Sequence, residues 1–496
     1  MLHGLLGIVV AWLLYFFVPG DVYPKAPFVA AMVGLMAVWW IFEVVPIPIT
    51  SLFPLIFLPL FNVADPTTVG AFYGRPIIFL FLGGFILAMG LQQSGIHKRI
   101  ALRIIYLIGS KPSLVVLGFM ISSGFLSMWI SNTASVMVML PIALSVIESA
   151  KENKIPAAMI TSFSVCIMLG IAYAADIGGM ATIIGTPPNL VFIELYGQLF
   201  PAGPEVGFLE WMLMGLPLSF LFMTFGWLLL TRFIFRLPTQ HLFEGRSVVR
   251  SHMKELGPVR RDEIFAGLIF LTAALLWMTG SDIQLGESFT MHGWRSAFGL
   301  QKVTDPVIAV AVASLLFMIP SKDRQGEALL LWKEARRLPW GILLLFGGGF
   351  AIAGGFEISG LSKIVGGVFS RMDVQSPLVV VAIINTAMTF LTELTSNTAM
   401  TNLVLPVLAN AAVVLEMDPR LIMVPATLSA SCAFMMPIAS PTQAIVFGSG
   451  YVSIRQMIRA GIWFNLLGIF LVTFIFMLLG YFILGIQLEG APAWAR

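Results

Sequence analysis

The sequence reads ISNTASVMVMLPIAL from Ile130 and TSNTAMTNLVLPVLA from Thr395. Ser131 and Ser396 stand 265 positions apart. The same offset relates Pro141 to Pro406, and GGFILAMGLQQSG from Gly83 to GGFAIAGGFEISG from Gly348. One constant spacing held over this distance marks a chain built from two related halves. The fold must therefore carry out one plan twice. Each copy sets a polar Ser-Asn-Thr triplet directly ahead of an apolar run, and a buried polar group without a partner is costly, most of all in hydrocarbon.

The runs around these triplets are apolar enough to decide the class. Of 496 residues, 58% are hydrophobic and 11% charged, a balance that indicates an all-α polytopic membrane protein rather than a water-soluble domain. Stretches such as FLFMTFGWLLLTRFIF and GIWFNLLGIFLVTFIFMLLGYFILGI have spanning length. At roughly 20 residues per span the chain offers about eleven candidate transmembrane helices. Solid apolar blocks exclude an outer-membrane barrel, whose strands alternate in polarity. A formal charge of +3 is too small to indicate a nucleic-acid partner. Cys166 and Cys432 lie in apolar segments and read as small buried hydrophobes. The five histidines (His3, His97, His241, His252, His292) show no metal-ligand spacing. The apolar N-terminus lacks a basic n-region and a small-x-small cleavage site, so it reads as a retained first helix.

Charge placement orients the halves. His97, Lys98, Arg99, Arg103 and Lys111 follow the first glycine-rich helix, and Lys151 and Lys154 follow the first triplet segment. The matching flanks of the second half, with Lys363, Arg371, Asp373, Glu416, Asp418 and Arg420, are poorer in base. Two further loops are strongly basic, Arg232 to Arg261 and Lys322 to Arg337, and Arg455 and Arg459 begin the last span. Placing the basic loops and the N-terminus in the cytoplasm gives a consistent path through the cell (inner) membrane. The first triplet segment then enters from inside and the second from outside, an inverted-topology repeat of the kind that binds substrate near the midplane.

The forty residues from Pro112 to Lys151 have a polar centre where two full spans would be apolar. They predict a re-entrant hairpin with its tip at membrane depth, and the segment from Pro377 to Arg420 predicts its mirror. Each half also holds a polar break in an apolar helix, IIGTPPNLVF near Gly185 and PIASPTQAIVF near Ala439. Pro187, Pro188 and Pro441 remove donors and push the preceding residue out of helix, exposing carbonyls and half-helix ends. Hydroxyls, amides and freed carbonyls form a neutral oxygen cage for a hard monovalent cation, and half-helix N-termini suit an anion. Ser-Asn-Thr is also a capping signature, a role compatible with ligand binding. No Lys, Arg or His lies within ten residues of either triplet or either break. An anion held there depends on co-bound cations, which is the physical basis of coupling.

SNTASVMVMLPI, SNTAMTNLVLPVL and GTPPN resemble the signature of the divalent anion–sodium symporter family, the dicarboxylate, citrate and sulfate carriers often called INDY-like. The resemblance covers nearly the whole chain in length, repeat spacing, both triplets and the first break. It implies a first sodium site from Ser127, Ser131, Asn132 and the Gly185 carbonyl, and a second from Thr392, Ser396, Asn397 and the Ala439 carbonyl. It implies that substrate carboxylates meet Asn132, Thr133 and Thr186 on one side and Asn397, Thr398, Ser440 and Pro441 on the other. It further implies a homodimer whose hairpins move as an elevator against a scaffold. The second break departs from the first, reading Ser440-Pro441-Thr442-Gln443 in place of Thr-Pro-Pro-Asn.

The expected organisation follows. Residues 1–70 form N-terminal scaffold helices. Residues 71–236 form the first inverted repeat, with hairpin 112–151 and a broken helix around 185–189. Residues 237–262 form a basic cytoplasmic linker, and 263–338 the scaffold helices of the second half. Residues 339–486 form the second repeat core, with hairpin 377–420 and a broken helix around 439–443, and 487–496 a tail. Glu393 sits at the second triplet and reads equally as a group that tunes the local field or links hairpin to scaffold and as a structural hydrogen-bonding group; Asp176 reads as a structural hydrogen-bonding group. GGGFAIAGGF lacks a βαβ context and reads as close helix packing. The expected function is sodium-coupled symport of small dicarboxylates of the succinate, malate and fumarate class, with no organic cofactor and no enzymatic constellation. A sodium-coupled citrate or sulfate symporter and a sodium-independent dicarboxylate exchanger are the alternatives.

Overall fold

The computed structural model describes residues 2–109, 111–152, 156–238, 245–285, 289–324, 326–369, 376–488 and 490–495. Lys154, His241, Arg371 and Asp373, named above for charge placement or metal spacing, lie outside them, as does the middle of the basic linker. Among the described residues seven helices of at least 18 residues are long and apolar enough to cross a membrane, and six apolar helices of 10–17 residues accompany them. The expected figure of about eleven falls between the seven and the combined total. A short antiparallel ribbon, Ile283–Leu285 with Phe289–Met291, departs from an otherwise helical chain.

The repeat is visible element by element. Pro112–Ser127 and Asn132–Glu152 are helices joined by four non-helical residues; Pro377–Thr392 and Asn397–Val414 repeat them at an offset of 265. Proline opens the first arm in each copy, where its missing N–H costs nothing. At 1.5 Å per residue these 16-residue arms reach about 24 Å, short of a bilayer core of about 30 Å. The returning arms are longer, 21 and 18 residues, and each carries its matched proline, Pro141 or Pro406, inside the helix.

The breaks are also present. Helix Ala157–Gly179 ends, residues 180–186 run non-helically, and Pro187 opens helix Pro187–Leu199. In the second half Pro419–Ala430 ends, residues 431–440 follow, and Pro441 opens Pro441–Gly448. Between these elements the offset is 254, not 265. That figure relates Pro187 to Pro441; the helix starts are offset by 262, the second helix is 11 residues shorter (12 against 23), and its break is three residues longer (431–440 against 180–186).

The halves interlock crosswise. Helix Asn132–Glu152 of the first hairpin packs on Pro441–Gly448, and Asn397–Val414 of the second packs on Pro187–Leu199. The long helices Phe208–Leu228 and Ile454–Leu484 pack on each other beside them. A second group gathers Pro76–Ser94, Arg261–Met278 and Asp305–Met318. Trp340–Ser359 lies between the groups, touching Ala26–Ile41 on one side and Asn397–Val414 on the other.

Charged groups collect at the bundle ends. Arg99 and Arg260 both grip Glu263, and Arg260 also reaches Asp323 and the Ser94 carbonyl. Lys151 pairs with Glu148 beside Tyr451. The basic helix Gly245–Glu255 packs on Ile96–Ile108 and Asn132–Glu152. The basic segments thus share one end, as a single-sided assignment requires. At the far end Arg75 meets Glu194, Arg295 meets Asp305, and buried Arg420 is held by Asp418 and the Leu484 carbonyl.

Candidate functional site

The first tip and first break meet around Gly179. Ser127 Oγ donates to Asn132 Oδ1 at 2.6 Å, which turns the amide nitrogen away from the tip. A Cβ built on Gly179 would lie 2.9 Å from Asn132 Oδ1, 3.1 Å from the Gly185 carbonyl oxygen and 3.2 Å from Thr186 Cβ. Asn132, Gly185 and Thr186 are therefore brought together, and only a residue without a side chain leaves room between them. Ser131 is exposed, and its Oγ accepts from the Ala134 N–H at 3.3 Å, so the capping role is present there. Thr133 is half-buried on the same turn. Asn189 stiffens the break by donating to the Thr182 carbonyl at 2.8 Å and to the Gly179 carbonyl at 3.2 Å.

The second tip is built from equivalent residues in a different bonding state. Thr392 Oγ1 donates to the Thr389 carbonyl at 3.1 Å. Ser396 occupies the N-cap position of Asn397–Val414 with no side-chain cap bond. Asn397 Oδ1, Thr395 Oγ1 and Thr389 Oγ1 are buried without a hydrogen-bond partner. Such atoms carry a desolvation cost of about 1–3 kcal/mol each unless something binds them. Thr398 and Ala439 are buried, and Pro441 is exposed. Ser440 Oγ caps the second post-break helix by accepting from the Gln443 N–H at 3.4 Å. Gln443 Nε2 also faces the Ala433 carbonyl at 3.5 Å, the counterpart of Asn189 with Gly179 at offset 254.

Two acids absent from the expected ligand sets hold these parts in place. Asp176, buried in Ala157–Gly179, accepts from Asn132 Nδ2 at 2.9 Å on one oxygen. Its other oxygen meets Thr442 Oγ1 at 2.9 Å, Gln443 Nε2 at 3.1 Å and Ser440 Oγ at 3.3 Å. It joins the first tip to the second break. Glu393 accepts from the backbone N–H groups of Phe434, Met435 and Met436 and from Asn465 Nδ2. Position 393 is the 265-offset counterpart of Met128, whose carbonyl accepts from Thr182 Oγ1 at 2.6 Å. Each tip is thus pinned to the segment ahead of its own break, once by a hydroxyl and once by a carboxylate.

The partners of these side chains are hydroxyls, amides, carbonyls and carboxylates. The arrangement offers oxygen ligands of the kind a hard monovalent cation takes, and half-helix N-termini at Thr186 and Ser440 for an anion. A cleft opens beside the first tip, with Phe81, Gly84 and Phe85 on one wall and Trp129, Ile130, Ser131 and Ile184 on the other. Gly179, Asp176, Thr442 and Gln443 were not singled out as site residues by the sequence. The signal for Asp176 is an acid inside an apolar segment, and the signal for Gln443 is the second offset of 254, which pairs it with Asn189; Gly179 and Thr442 carry no such signal.

Comparison with known proteins agrees with this architecture. The sodium-dependent dicarboxylate transporter SdcS of Staphylococcus saprophyticus is 40% identical over 492 residues, covering 97% of this chain and 92% of that protein. The SdcS protein of Staphylococcus aureus strain MRSA252 is 39% identical over 494 residues, covering 98% and 93%. The crystal structure of the Alcanivorax borkumensis YdaH transporter shares the fold at a TM-score of 0.55 and 16% identity, over 85% of this chain and 88% of that one. Residues 2–486 match the family described as the sodium:sulfate symporter transmembrane region, and the chain belongs to that family.

Proposed function

We propose that the protein is a sodium-coupled symporter of small dicarboxylates, a transporter and not an enzyme. The observation that carries this reading is the meeting of two mirror-related tips and breaks, lined by hydroxyl, amide and carbonyl oxygens and held by Asp176 and Glu393, in the interior of an apolar bundle. Asn132, the Gly185 carbonyl, Ser127 and Ser131 would hold one sodium ion. Asn397, the Ala439 carbonyl, Thr392 and Ser396 would hold the other, where the unpartnered Asn397 Oδ1 supports the assignment. The ions neutralise a dicarboxylate seated against Asn132, Thr133, Thr186, Asn397, Thr398, Ser440 and Pro441. Without cationic side chains among those residues, the dianion binds well only when sodium is present, so neither cargo crosses productively alone.

The interlocked hairpins and post-break helices form a unit that moves against the remaining helices, as an elevator in a homodimer of the cell (inner) membrane. The division at residues 70, 236, 262, 338 and 486 marks its parts. The collection of basic segments at one bundle end supports a cytoplasmic N-terminus. Purified protein in liposomes should take up labelled succinate when an inward sodium gradient is imposed, and lose that uptake when potassium replaces sodium. Competition should rank dicarboxylates above citrate and sulfate. Succinate exchange unchanged without sodium overturns the reading in favour of an exchanger.

A further inference from the structure

Asp176 is buried, lies in an apolar helix and has no cationic partner among the described residues. A carboxylate in such a place is retained for a reason. Its surroundings suit the ionised form. Asn132 Nδ2 donates to one oxygen, and Gln443 Nε2 and two hydroxyls crowd the other. An ionised carboxyl accepts about four such bonds and donates none. The Gln443 orientation is fixed by a carbonyl, and that of Asn132 follows from the carboxylate on its nitrogen side. Ser127 Oγ donates to Asn132 Oδ1, and Gln443 Nε2 faces a second acceptor, the Ala433 carbonyl.

The consequence lies on the other side of Asn132. With its nitrogen engaged by a carboxylate, the amide is polarised toward Oδ1, the atom that converges with the Gly185 carbonyl on Gly179. A group behind a ligand that orients it and raises its basicity governs metal affinity as strongly as many direct ligands do. The other oxygen of Asp176 meanwhile gathers Ser440, Thr442 and Gln443, the start of the second post-break helix. One carboxylate therefore stands behind a ligand of one repeat and beneath the anion-facing helix end of the other.

We propose that Asp176 is the positioning residue of the first sodium site. Its carboxyl group, hydrogen-bonded to both Asn132 and the second post-break helix, sets that site's affinity and transmits sodium occupancy to the second repeat's break. The inference rests on the sodium-symport reading above. It predicts that sodium tightens succinate binding through this residue, and that loss of its charge weakens both while leaving the transport cycle intact.

The test uses full-length protein in liposomes, with labelled succinate uptake measured across a sodium titration. Asp176→Asn should raise the half-saturating sodium concentration at least tenfold. It should raise the succinate KM at sub-saturating sodium and keep Vmax at saturating sodium within threefold of wild type. Thr442→Val removes one donor that stabilises the ionised carboxyl, so it should weaken sodium binding in the same direction but less, about threefold, with Vmax at saturating sodium retained. If Asp176 were only structural glue, both variants would lower Vmax and the melting temperature while leaving the half-saturating sodium concentration unmoved, and that result overturns the proposal. So does wild-type sodium dependence in Asp176→Asn. Should Asp176→Asn fail to fold, Thr442→Val decides alone: a weaker sodium constant at retained Vmax supports, an unchanged or tighter one refutes. Wild-type protein without sodium-stimulated uptake would sink the symport reading itself, an outcome distinct from either.

Discussion

At the residue scale the site turns on a missing side chain. Gly179 lies where Asn132 Oδ1 and the Gly185 carbonyl come within about 3 Å of a would-be Cβ. Gly179→Ala pushes both proposed ligands apart at once, and the Gly185 carbonyl belongs to backbone that cannot yield as a flexible side-chain end would. Sodium-dependent uptake should fall at least tenfold at low sodium, with the protein still folded by its melting curve. Gly197→Ala is the control, because a Cβ there meets nothing within 4 Å and alanine favours the helix. Equal loss in both variants would remove Gly179 from the site. Asn132, Asn397 and Thr186 were legible in the sequence because triplets and proline breaks are local signals. Asp176 was legible as a hydrogen-bonding acid but its partners were not, and Gly179 was not legible at all, since what matters in each is an approach made by a distant segment.

At the element scale the repeat is faithful in plan and unequal in its bonds. Both hairpins start at proline and turn over four residues, and each tip is tied to the segment before its break. The first tie is one hydroxyl bond from Thr182. The second is Glu393, which satisfies three backbone N–H groups and the Asn465 amide. Glu393→Ala leaves those buried donors without their acceptor, a loss on the order of 3 kcal/mol or more, whereas Thr182→Ala forfeits about 1 kcal/mol. Melting temperatures in detergent should therefore fall clearly for Glu393→Ala and slightly for Thr182→Ala. The reverse order would mean that the carboxylate does not pin the second tip. The hairpins and breaks could be read from composition alone, and so could an acid near the second tip. The shortened helix Pro419–Ala430 shows in the sequence only as the change of offset from 265 at the triplets to 254 at Pro187 and Pro441, which does not say which element has shrunk.

At the scale of the whole molecule the two halves differ where their plans are the same. In the second half Gly349 of Trp340–Ser359 is pressed against Asn402 of the hairpin, so closely that a Cβ would overlap its amide. The 265-offset counterparts in the first half are Gly84 and Met137. Gly84 borders the open cleft, its nearest would-be contact is Ile184 at 3.9 Å, and Met137 is 61% exposed. Packed surfaces have discrete arrangements rather than a continuum. An inverted repeat with one half closed and the other open therefore implies a partner state with the halves exchanged. In that state Gly84 and Met137 approach as Gly349 and Asn402 do here. A Gly84→Cys, Met137→Cys pair should resist cross-linking while the protein holds the present arrangement, and form a disulfide under cycling conditions with sodium and succinate. The cross-link should arrest uptake, and reduction should restore it. Cys166 and Cys432 are buried and do not compete for the oxidant. A pair that never cross-links during turnover would show that the exchange of conformations between halves is not how this molecule moves its cargo.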